Sequence, residues 1–70
     1  MTPETIRATL VEARQAIGAS QRQLAAAMRR RGHEWRQTTV SMKEHGQRDI
    51  KVRELCDWFD ALEDCERRAG

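Results

Sequence analysis

The chain lacks most of the features that mark common functional classes. It has no apolar run near the roughly 20 residues that a bilayer crossing requires. Its opening, MTPETIRATL, shows neither the basic stretch nor the apolar core of a secretory leader. No membrane association and a cytoplasmic location are therefore expected. Cysteine is scarce, with only Cys56 and Cys65. In a reducing compartment both are expected as thiols filling small apolar gaps. Neither these nor His33 and His45 show the close pairing of structural zinc ligands, so no metal or other cofactor is expected. There is no Ser–His–Asp set, paired-carboxylate motif or glycine-rich phosphate loop, and an enzyme is not expected. The β-branched residues are scattered without alternation, which argues against strands. Repeats and low-complexity stretches are also missing.

What remains is one small domain of 70 residues. A chain this short buries only about 60 % of its unfolded surface, so its stability is thin. Ala, Leu, Glu, Gln and Arg dominate, all good helix formers, and the fold class is all-α. A first helix is expected from Thr2-Pro3-Glu4. Thr2 suits the N-cap, Pro3 the first turn, and Glu4 the positive end of the dipole. Ile6, Leu10, Ala13 and Ile17 fall on one face, and Gly18 closes the helix. Ser20 opens a second helix, with Gln23 three residues later completing a capping box. Leu24, Ala25 and Met28 form its stripe, and it runs through Arg29–Arg31 to Gly32. GHEW connects to a third helix, about 36–45, centred on Val40 and stopped by Gly46. After a loop at 47–51, a fourth helix spans about 52–62, with Val52, Leu55, Phe59 and Leu62 as its apolar stripe and Trp58 between them. The domain is expected to cover 1–62, with 63–70 as a polar tail or short frayed helix.

Net charge is only +2, but it is unevenly placed. Residues 20–53 carry nine Lys or Arg against three acids, whereas residues 54–70 carry six acids against two arginines. One face suited to a polyanion and another unsuited to it would explain this sorting.

Two helices joined by a turn, the second polar and basic, form the layout of a helix-turn-helix. The strings ASQRQLAAAM, QTTVSMKEHGQR and ELCDWFDAL make the resemblance more specific. They look like the phage-repressor or Cro-like (XRE-type) family across about residues 6–62. The Leu24-Ala25, Val40-Ser41, Glu44-x-Gly46 and Glu54-Leu55 parts occur in the family's order. The resemblance implies a compact four- to five-helix lambda-repressor-like domain in a bacterial or phage-infected cell, bound to double-stranded operator DNA at the nucleoid. It also implies that the third helix enters the major groove. Base readout then falls to Gln37, Thr38, Ser41 and Met42. Gln37 suits adenine through both amide atoms, and Met42 offers only apolar contact to a thymine methyl. Gln21 and the start of the second helix are expected to grip a phosphate. Arg22, Arg36, Lys43, His45, Arg48 and Lys51 are expected as further phosphate contacts. The alternatives are an ordinary helix N-terminus for Gln37 and Thr38 and a plain exposed histidine for His45.

Related sequences also carry an ion pair between the first helix and the end of the third, which implies Arg14 and Glu44 here. One departure is the connection RRRGHEW, about five residues longer than the family's turn. It is expected to add a turn to the second helix, with Trp35 packing back over it. Arg29, Arg30 and Arg31 are then either an extra clamp on the DNA backbone or a solvated helix end.

Such proteins bind as two-fold dimers. A homodimer surface is expected on the fourth helix and tail around Trp58, Leu62 and Cys65, although Trp58 also suits the core. A second function class remains open: a protein-interaction module, such as an antitoxin, that meets its partner through the acidic helix 54–66.

Overall fold

In the computed structural model, which describes residues 2–69, four α-helices follow one another and no strand occurs among these residues. Met1 and Gly70, at the edges of the expected domain and tail, lie outside the described residues. The helices are α1 (Pro3–Ala16), α2 (Gln21–Arg30), α3 (Gln37–Glu44) and α4 (Val52–Ala69).

Local chemistry sets most of their ends. Thr2 caps α1 by accepting the Thr5 amide at 3.2 Å. Ser20 accepts the Gln23 amide at 3.0 Å while the Gln23 side chain accepts the Ser20 amide at 2.8 Å, closing the expected box. The α3 start has no such cap side chain, because Arg36 occupies that position. Thr39 supplies half of the arrangement, its hydroxyl accepting the Arg36 amide at 3.2 Å. Gly46 follows α3 at φ +79°, a left-handed conformation that a side chain resists.

The core joins Leu10 of α1, Leu24, Ala25, Ala27 and Met28 of α2, Val40 of α3, and Trp58, Ala61, Leu62 and Cys65 of α4. Trp35 packs edge-on to Trp58, with ring centroids 5.7 Å apart. The long connection after α2 is therefore nailed to the core just before α3 begins. Arg29 Nη1 also donates to the Trp35 carbonyl at 2.6 Å. The radius of gyration, 10.9 Å, equals the roughly 11 Å of a compact chain of this length.

Helix α4 departs from the expected register. Val52 is 79 % and Phe59 45 % exposed, whereas Trp58 is fully buried. Successive helical residues are about 100° apart, so turning Trp58 inward swings Phe59 outward. The inward stripe is half-buried Leu55 with buried Trp58, Ala61, Leu62 and Cys65. The expected tail is in fact the last part of α4, anchored by buried Cys65 and by Asp64, which accepts from Arg30 Nη2 at 2.8 Å. Trp58, Leu62 and Cys65 thus belong to the chain's own interior and are not a free dimer surface. Cys56 is exposed rather than a filler. Burial pushes the Cys65 thiol above its ordinary pKa, which disfavours the thiolate.

Candidate nucleic-acid interface

Helix α3 packs on α1 and α2, and its buried residues are Val40 and Lys43. The opposite face carries Gln37 and Thr38, which are exposed, and Ser41 and Met42, which are half-buried. These four positions share one side of the helix at i, i+1, i+4 and i+5. All four expected reading residues therefore lie together.

Beneath them runs a polar network. Arg14 Nε meets Glu44 Oε2 at 2.6 Å, and Arg14 Nη2 meets Glu44 Oε1 at 3.0 Å. The side chains are only 11 % and 4 % exposed, so the expected pair between α1 and α3 is present, two-pronged and largely dry. The third arm of the guanidinium, Nη1, donates to the Ala19 carbonyl at 2.8 Å. Gln21 Nε2 donates to Glu44 Oε1 at 2.8 Å, and Gln21 Oε1 accepts from Gln37 Nε2 at 2.9 Å. A continuous chain Arg14–Glu44–Gln21–Gln37 thus reaches from the scaffold to the exposed helix start. The Gln37 amide retains its oxygen and one N–H, the two groups that adenine's major-groove edge requires.

The expected phosphate contacts divide. Arg22, Arg36, Arg48 and Lys51 are exposed, and their charged ends make no hydrogen bond among the described residues. Gln21 is engaged as described, but the amides of Gln21 and Arg22 at the α2 start remain available for an anion. His45 Nδ1 donates to the Ser41 carbonyl at 2.7 Å. The neutral ring then offers only an acceptor at Nε2, so gripping a phosphate requires the protonated ring.

Lys43 corrects the expectation outright. It is 5 % exposed, and its Nζ donates to the Asp49 carbonyl and to Glu54 Oε1, both at 2.9 Å. The same ammonium lies 5.1 Å from the Trp35 ring centroid. Its role is to fasten the α3–α4 loop and the end of α3 to the core. Burial alone would raise the Glu54 carboxyl, but the Lys51 amide and the Lys43 ammonium outweigh it and hold its pKa below the ordinary value.

The arginine triplet also turns away from an open clamp. Arg30 pairs with Asp64 of α4, and Arg31 Nη2 donates to the Asp60 carbonyl at 2.9 Å. Arg29 is tied to Trp35. The Arg30 and Arg31 bonds lock the end of α2 onto α4, and the Arg29 bond ties it to the connection. His33 Nε2, 2.6 Å from Asp57 Oδ2, secures the connection that follows.

Arg7 was not expected near this surface. An added Cβ at Gly46 would fall 2.9 Å from the Arg7 guanidinium carbon, so the side chain lies across the end of α3. The available signal was its spacing: Arg7 and Arg14 are two turns apart on one face of α1. No family model matches the chain, and no curated protein or solved structure matches it either.

Proposed function

We propose that the chain is a sequence-specific DNA-binding regulator, a repressor of the helix-turn-helix kind, with α3 in the major groove. The observation that carries this reading is the exposed Gln37–Thr38–Ser41–Met42 face, its first member held in place by Gln21 from the start of α2. The sequence resemblance set out above points the same way. Gln37 and Thr38 meet base edges, while Arg22, Arg36, Arg48 and Lys51 meet phosphates on either side. Two copies bind half-sites about 34 Å apart.

The test is fluorescence anisotropy with duplex DNA from the region upstream of the gene. Four phosphate-neutralising side chains per chain contribute about −3.6 to the log–log salt slope for each bound copy, or about 150-fold weaker binding per copy at 200 mM than at 50 mM salt. Gln37→Ala is expected to blunt discrimination at one base pair by about 1–3 kcal/mol. An unchanged sequence preference in that variant refutes the assigned register.

A second reading has one observation in its favour. Val52, Cys56 and Phe59 form an exposed apolar strip on α4, beside exposed Asp60 and Glu63. A protein partner covering that strip would make the chain an interaction module, with weak or autoregulatory DNA binding. Absence of DNA binding at low salt, together with a tight protein partner, would favour it.

A further inference from the structure

We infer that Arg7 of α1 is a DNA-backbone contact, seated across Gly46 beside Arg48 and meeting a phosphodiester of its own. This rests on the DNA-binding reading and adds to it a helix that the sequence did not implicate. Three observations meet here. The Arg7 guanidinium lies against the Gly46 backbone, its carbon and both terminal nitrogens 2.9–3.1 Å from the position of an added Cβ. The residue is half-buried, yet its guanidinium has no hydrogen-bond acceptor or ion-pair partner among the described residues. An open hollow of about 440 Å³ beside it is lined by Pro3, Ile6, Arg7, Arg48, Asp49 and Ile50. Two cations and one carboxylate thus share a concave surface at the end of α3, and Asp49 forms no ion pair there among the described residues.

A guanidinium whose five donors lack acceptors is built for an oxyanion with matching fork geometry. Its stem is restrained by packing, so less side-chain freedom is lost on contact. Glycine at position 46 serves two ends. It takes the left-handed turn that stops α3, and its missing side chain is the space that Arg7 fills. The negative end of the α3 dipole also favours a cation at this place. That attraction alone would make Arg7 a purely stabilising residue, so the test must separate the two roles.

The experiment measures anisotropy of labelled upstream duplex across a salt series, alongside thermal melts, for wild type, Arg7→Gln, Arg7→Lys, Asp49→Asn and Arg67→Gln. Arg7→Gln is expected to flatten the log–log salt slope by about 0.9 and to weaken binding roughly eightfold at 0.1 M salt. Arg7→Lys restores most of the slope, and Asp49→Asn tightens binding. Arg67, exposed in the last turn of α4, is the control for general charge and leaves the slope unchanged. A lowered melting temperature in Arg7→Gln with wild-type affinity and slope overturns the inference and leaves Arg7 as a helix-end brace. Equal losses in Arg7→Gln and Arg67→Gln overturn it as well, since a diffuse field would explain both. Wild-type protein that binds no DNA at low salt removes the DNA-binding reading and this inference together. Wild-type binding with an indifferent Arg7 removes only the inference.

Discussion

Replacing Arg14 by alanine tests the network on which the whole α3 surface stands. Arg14 makes two bonds to Glu44 and one to the Ala19 carbonyl. Its loss leaves the Glu44 carboxylate, 4 % exposed, with the neutral Gln21 amide as its one remaining side-chain donor. It also leaves the Ala19 carbonyl without that guanidinium donor. Removing one member of a buried ion pair costs about 3–5 kcal/mol, because the stranded charge cannot recover its hydration. A domain of this length has in total only about 3.5–10 kcal/mol of stability. Each kcal/mol shifts the midpoint of so small a domain by about 4–8 °C. Circular-dichroism melts should therefore show a fall of at least roughly 12 °C, or a chain already unfolded at room temperature. Arg14→Met combined with Glu44→Leu removes both charges at once and should recover much of that loss. A fall below about 4 °C in Arg14→Ala alone would refute the reasoning, since it would mean that the pair is hydrated and replaceable.

Two more perturbations probe the buried lysine and its acid. Lys43→Ala strands Glu54, frees the Asp49 carbonyl and uncovers Trp35. The expected loss is about 2–4 kcal/mol, below the usual range for a buried pair because Glu54 keeps some water, and a urea titration followed by tryptophan fluorescence reads it. A loss under about 0.5 kcal/mol would show the contact to be idle. The depressed pKa of Glu54 gives a pH test. Its contribution is fully present above its ordinary value near 4.5 and disappears as pH falls through its lower folded value. Glu54→Gln should accordingly be less stable than wild type at pH 7, with the gap narrowing below about pH 4.5. A gap that stays constant down to pH 3 contradicts the assignment.

Much of this architecture could be read residue by residue. Thr2, Ser20 with Gln23, and the glycines at 18, 32 and 46 mark helix ends because capping joins residues only three or four apart. The face of α3 that carries Gln37, Thr38, Ser41 and Met42 was equally legible, since Val40 alone fixes which side points inward. The resemblance supplied Arg14 and Glu44, and a charged pair with a fixed partner left little freedom for either. Trp35 was expected to pack back over the end of α2; it is buried, but its ring meets Trp58 of α4 and the Lys43 ammonium, partners that its local sequence does not name.

Other features depended on neighbours that no local pattern specifies. On α4, Trp58 and Phe59 are adjacent and both apolar, so periodicity alone could not say which faces the core. The core beside Trp35 admitted the indole and left the phenyl ring of Phe59 facing solvent. Lys43 reads as a surface cation until a carboxylate eleven positions on, a loop carbonyl and an indole converge on it. Arg30 and Arg31 read as a free basic cluster until the end of α4 arrives beside them. Arg7 meets Gly46 only because α1 crosses the end of α3. The sequence by itself determined where α1, α2 and α3 start and stop, though not where α4 ends, and which face of α3 is polar, because those depend on short-range hydrogen bonds and on a single strong apolar residue. The tertiary structure alone decided which charges remain free to meet another molecule, because a charged side chain stays exposed unless distant groups come together to replace its water.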